Sequence, residues 1–77
     1  MNYIYDINWK RKSKQYYKVF IYYKTPQNRK QYLKVNYPAS EIIEPNSKLG
    51  ELLKIKKPVK LSLYYIKRIL IHSNYEL

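Results

Sequence analysis

The sequence predicts a small α+β domain, a three- to four-stranded antiparallel meander sheet backed by one or two short helices. Three observations carry this. Gln15 to Lys24 reads QYYKVFIYYK, with no glycine or proline among its β-branched and aromatic residues, which suits a pleated, half-buried surface better than a helix. The segments on either side, 3–9 and 30–37, alternate with period two, and the stretches between them are short enough for hairpin loops. Beyond Pro38 the apolar spacing turns helical, first around Leu49, Leu52 and Leu53, then around Leu63, Ile66 and Leu70.

Each element follows from its own residues. In the first strand Tyr3, Tyr5, Ile7 and Trp9 fall on one side, expected inward, and Ile4, Asp6 and Asn8 on the other. Lys10 to Lys14 holds four cations and no apolar residue, the composition of a solvated hairpin loop or of a finger that grips phosphate. The central strand sets Tyr17, Val19, Ile21 and Tyr23 inward, and Tyr16, Lys18, Phe20, Tyr22 and Lys24 outward. Thr25 to Arg29 is a turn, because Pro26 fixes one φ and Asn28 tolerates a positive one. The third strand turns Gln31, Leu33, Val35 and Tyr37 to one face and Lys30, Tyr32, Lys34 and Asn36 to the other, and Pro38 ends it. Asn46 or Ser47 caps a short helix expected to reach Lys56, which Gly50 weakens by about 1 kcal/mol relative to alanine. Val59 to Leu61 alternates like a strand, and Ser62 caps a second helix with Lys67 and Arg68 outward. A single strand running to Ile71 is the alternative there. Ser73 to Leu77 is expected to fray.

Composition narrows the function. The chain is 77 residues long and is read as one small basic domain over 1–77. It carries 16 Lys and Arg against 5 Asp and Glu, a formal net charge of +11. An A/T-rich genome would raise lysine and tyrosine alike, but it does not explain scarce glutamate or 11 tyrosines to 1 phenylalanine. Tyrosine in place of phenylalanine means rings with an apolar body and one wet end. The absence of cysteine removes disulfides and thiolate metal sites, and a single histidine leaves no ligand set for zinc. No cofactor is therefore expected. No signal peptide or spanning segment is evident, so a cytoplasmic location without membrane attachment is expected.

The outward face of the sheet alternates rings with cations, which suits a polyanion carrying flat bases. The residues expected to bind nucleic acid are Lys10, Arg11, Lys12, Lys14, Tyr16, Lys18, Phe20, Tyr22, Lys24, Arg29, Lys30, Tyr32 and Lys34. Lysines would neutralise phosphates and the rings would stack on bases, which slightly favours a single strand of DNA or RNA over a duplex. Few Asn, Gln or Arg side chains lie on this face, so sequence specificity should be weak. Several small nucleic-acid-binding folds set a curved sheet against helices, an analogy of architecture alone.

Two other classes stand beside this one. Tyrosine-rich surfaces also serve protein interfaces, so a viral or plasmid-borne inhibitor docking on an acidic host protein is the first alternative. A small RNase toxin working without histidine is the second. Catalysis finds little support: His72 has only Glu76 near it in sequence, the acids show no paired spacing, and one glycine cannot build a phosphate loop. A small core also leaves room for a homodimer.

Overall fold

A computed structural model describes residues 2–72. Three nine-residue strands, β1 (Tyr3–Arg11), β2 (Tyr16–Lys24) and β3 (Lys30–Pro38), form an antiparallel meander in the order β1-β2-β3. A separate two-stranded ribbon pairs β4 (Ile42–Ile43) with β5 (Val59–Lys60). Between its strands lies α1 (Lys48–Leu53), and α2 (Leu63–His72) follows it. The fold is the predicted α+β class, with a sheet of three strands because β5 joins the ribbon. The expected fraying of Ser73 to Leu77 falls outside the described residues. Among the described residues, no helix is long and apolar enough to cross a membrane.

Alternation in β2 and β3 survives intact. Val19, Ile21, Val35 and Tyr37 are buried, and they join Ile43 and Leu49 with Leu63, Ile66 and Leu70 of α2 in one core. The face assignment in β1 needs correction. Ile4 is buried and Tyr3 is exposed, the reverse of the expectation. The register shifts between Ile4 and Asp6, so Tyr5 and Asp6 together oppose Tyr22. This β-bulge inserts one residue and inverts the alternation on its N-terminal side. Ile4 and Ile7, three apart, thereby both reach the core, while Ile7 and Trp9 keep their inward side. Asp6 accepts from its neighbour's backbone amide, Ile7 N, at 2.9 Å and lies 3.5 Å from the Lys67 ammonium of α2.

The first hairpin loop is shorter than expected, because Lys10 and Arg11 pair with Lys18 and Tyr17 as the last rungs of β1. The second turn forms as its residues require, with Asn28 at φ 64 and its amide donating to the Thr25 carbonyl at 2.9 Å.

Helix α1 starts where predicted and stops early. The Ser47 side chain accepts from Gly50 N at 3.0 Å, and Lys54 turns left-handed at φ 58. That backbone geometry ends the helix before Lys56. Gly50 is needed for a reason invisible to helix propensity: a Cβ there would collide with the Glu44 carbonyl oxygen. The helix packs so closely on the preceding loop that only glycine fits.

Beneath the far end of the sheet, Tyr37 donates its hydroxyl proton to the Leu61 carbonyl at 2.7 Å and tethers β3 to the start of α2. Burial, then the Glu41 carboxylate beside it, push this phenol well above its ordinary value.

Candidate nucleic-acid interface

The outer face is built by the register of the meander. Side chains directly opposite one another on antiparallel strands share a face, so pairing decides which residues meet. Lys10 lies opposite Lys18, and Lys18 opposite Asn36. The next outward rung is Asn8, Phe20 and Lys34; the next, Tyr22 and Tyr32 with the bulge residues Tyr5 and Asp6; the last, Tyr3, Lys24 and Lys30. From Lys18 to Lys24 this face runs roughly 20 Å at about 3.3 Å per residue.

Four rings make a continuous chain across its middle. Tyr5 and Tyr22 have centroids 6.4 Å apart, Tyr22 and Tyr32 6.0 Å, and Phe20 and Tyr32 6.1 Å, all tilted rather than parallel. Tyr32 at the sheet edge is 55 % exposed, while Phe20 and Tyr22 on the central strand are half-buried by their neighbours. The ammonium of Lys24 sits 5.9 Å from the Tyr5 centroid.

Cations bracket the rings on both sides. Lys10 faces Lys18 at one end and Lys24 faces Lys30 at the other. Like charges directly opposite destabilise a sheet, and no carboxylate lies on these rungs to relieve them; Asp6, at the bulge, is engaged by Lys67. Lys18 instead donates to the Asn36 side-chain oxygen at 2.7 Å.

Two shallow depressions flank the ring chain. One, of about 340 Å³, brings Asn8, Lys10, Phe20 and Tyr22 together with Lys12 from the hairpin loop. The other, of about 360 Å³, sits against β3 and joins Lys18, Lys34 and Asn36 to Ser47 and Lys48 at the start of α1.

Of the residues expected at the site, Lys10, Tyr16, Lys18, Phe20, Tyr22, Lys24, Lys30, Tyr32 and Lys34 occupy outward positions in the ladder, and Lys12 joins them at the rim. Lys14 lies in the first loop and Arg29 in the second, at opposite ends of the sheet. Arg11 does not belong to the face. Its rung partner is Tyr17, on the helix side; its guanidinium carbon lies 5.3 Å from that ring's centroid and it donates to the Tyr17 hydroxyl at 2.9 Å. The expectation placed it in the first hairpin loop, either solvated or gripping phosphate, but strand pairing continues through it and turns it under the sheet.

Sequence reasoning missed Tyr5 and Lys48. Tyr5 reaches the outer face only because the bulge reverses β1, and no local pattern marks that bulge. Lys48 reads as an ordinary first-turn helix residue, and only the packing of α1 beside β3 brings it to the sheet. Among the described residues, no group of His, Cys, Asp or Glu is arranged to hold a metal ion. The chain matches no protein-family model, no curated protein and no solved structure.

Proposed function

We propose that this protein is a non-enzymatic nucleic-acid-binding protein that uses the outer face of its meander and the Lys12 loop, with weak sequence specificity. The observation that carries the reading is the pair of opposed lysine rungs, Lys10–Lys18 and Lys24–Lys30, around the connected Tyr5, Tyr22, Tyr32 and Phe20 rings. Isolated, this arrangement is unfavourable, since each like-charged pair costs a few tenths of a kcal/mol or more. A phosphate backbone laid along both ends relieves it, and the rings between offer π-faces to unstacked bases. Single strands of DNA or RNA are favoured over duplex because bases stacked inside a helix do not reach a sheet face.

Fluorescence anisotropy with labelled single-stranded and duplex oligonucleotides over a range of salt tests this. Engaging about six phosphates gives a log–log slope of affinity on salt near −4 to −5. Tyr22→Ala and Tyr32→Ala should each weaken single-strand binding by roughly 1–3 kcal/mol with little change in that slope. Lys10→Ala and Lys30→Ala should flatten the slope and leave base preference unchanged. Weak binding in low salt, indifferent to both sets of changes, would refute the reading and leave an acidic protein as the partner.

A further inference from the structure

On the opposite side of the sheet, where its far end meets the start of α2, lies a cavity of about 370 Å³ that nucleic-acid binding does not use. Its walls include Trp9, Tyr17, Tyr37 and Tyr64, with the Glu41 carboxylate and Ser62 between them. The cavity is open to solvent and similar in volume to the two outer depressions; what sets it apart is its lining. From this geometry we infer that the cavity binds an alkylated ammonium group.

Ring orientation selects the shape of the ligand. Trp9 and Tyr64 meet edge-on, with centroids 5.1 Å apart and planes at 88°. Tyr17 and Tyr37 meet at 6.1 Å and 68°. Neither pair offers the two parallel faces that would sandwich a flat base. Rings set at right angles make the corner of a box, which fits a rounded, tetrahedral group.

Charge selects its sign. Glu41 is one of only 5 acids in a chain with 16 Lys and Arg, yet the neighbour its carboxylate meets is the Tyr37 hydroxyl at 3.3 Å. That hydroxyl has one proton, and the Leu61 carbonyl at 2.7 Å receives it on better terms. The Glu41 carboxylate is thus the weaker of two acceptors for that proton and lies beside the Tyr37 ring. Its backbone is held at φ 65, left-handed for a residue with a Cβ, a conformation that costs about 1–3 kcal/mol and persists only when its surroundings enforce it. Enforcement comes from both sides: Glu41 N donates to the Pro38 carbonyl at 2.9 Å, and Leu61 N donates to the Glu41 carbonyl at 2.8 Å.

The cluster already takes one cation at its rim, the Arg11 guanidinium over Tyr17. The ring faces attract a cation and accommodate its methyl groups without hydrogen bonds, and the Glu41 carboxylate supplies the opposing charge. The head group of a choline-type molecule and a methylated lysine side chain share this chemistry.

Trp9 is the one tryptophan of the chain; it borders both this cavity and the outer depression at Lys10 and Phe20, so the Glu41 and Tyr64 variants assign any change in its emission to the cavity. Titration with tetramethylammonium chloride, against sodium chloride at equal ionic strength, should give a saturable change for the first salt alone. Phosphocholine and trimethyllysine amide, run in parallel, separate the two sources. Tyr64→Ala, at a residue that is 77 % exposed, should weaken tetramethylammonium binding by about three- to thirtyfold, the range of one cation–π contact, and Glu41→Gln should weaken it by removing the opposing charge. Arg11→Ala should tighten it by removing the competing guanidinium. Circular dichroism on each variant checks that the fold is retained. No saturable change in the unaltered protein, or equal binding by a folded Glu41→Gln, overturns the assignment. Either result leaves the oligonucleotide measurements untouched, because the two sites lie on opposite faces of the sheet.

Discussion

The two faces of the meander hold similar rings in different company. On the outer face Tyr5, Tyr22, Tyr32 and Phe20 are interleaved with lysines and half open to water. On the inner face Tyr17 and Tyr37 lie against each other, with Trp9 and Tyr64 beside them; Tyr37 is buried and bonded to the Leu61 carbonyl. An aromatic side chain has no fixed role by itself. What surrounds its polar end decides whether it cements a core, lines a cavity or waits for a ligand.

The largest effect that separates the faces is a matter of stability. Ile21 is wholly buried at the centre of the sheet, so Ile21→Ala should destabilise by about 2–5 kcal/mol, measured by urea denaturation. Tyr22→Ala, one residue along and on the other face, should cost much less. Reversed values would mean that the faces are exchanged and that every residue assigned to the interface lies inside.

Removing one oxygen sharpens the contrast. Tyr37→Phe strips the Leu61 carbonyl of its donor and should cost about 1–3 kcal/mol, whereas Tyr32→Phe at the exposed edge should change stability by less than ~0.5 kcal/mol. The first substitution also has a pH signature. Because burial and Glu41 raise the Tyr37 phenol in the folded chain, the native state holds that proton to higher pH than the unfolded state does. Its contribution is complete below the unfolded value of about 10 and declines as pH rises beyond it. The stability of Tyr37→Phe should therefore fall less steeply than that of the unaltered chain in alkaline denaturation. Parallel curves would show that the phenol is not shielded.

The smallest effect runs in the opposite direction. Lys30→Glu places a carboxylate opposite Lys24 and should raise stability by about 0.2–1 kcal/mol at low salt. It should weaken oligonucleotide binding at the same time. A variant that is more stable and binds as well as before would show that the opposed lysines serve no anionic partner.

The alternation in QYYKVFIYYK was legible without coordinates, because a strand's two-residue period is a property of the local backbone. The turn at Pro26 and Asn28 and the Ser47 cap were legible for the same reason: each rests on a side chain acting within four residues of itself. A short loop between the second and third strands also brings their outward faces together, while the opposition of Tyr22 to Tyr32 and of Lys24 to Lys30 is seen only in the register of the folded sheet.

What escaped the sequence depends on how strands pair and pack rather than on a residue's own neighbourhood. Ile4 reads as outward by alternation, and only the core's demand for two isoleucines three residues apart explains the bulge at Tyr5. Arg11 sits in a run of cations that resembles loop, yet the ladder extends through it and lays it on Tyr17. Ile42 and Ile43 carry too short a pattern to announce a strand, and become one because Val59 and Lys60 lie alongside.

Three strands, with the faces of β2 and β3, two helical segments and a surplus of positive charge were therefore legible, because all follow from local geometry or simple composition. Packing was needed to bring Tyr5 to the outer rings and Lys48 to the sheet, to leave Gly50 no room for a side chain, and to set Glu41, Tyr37 and Tyr64 around one cavity. These depend on how loops, helices and strands close on one another, at Gly50 across six residues and at Tyr64 across more than twenty, and such packing is set by the fold rather than by any stretch of it.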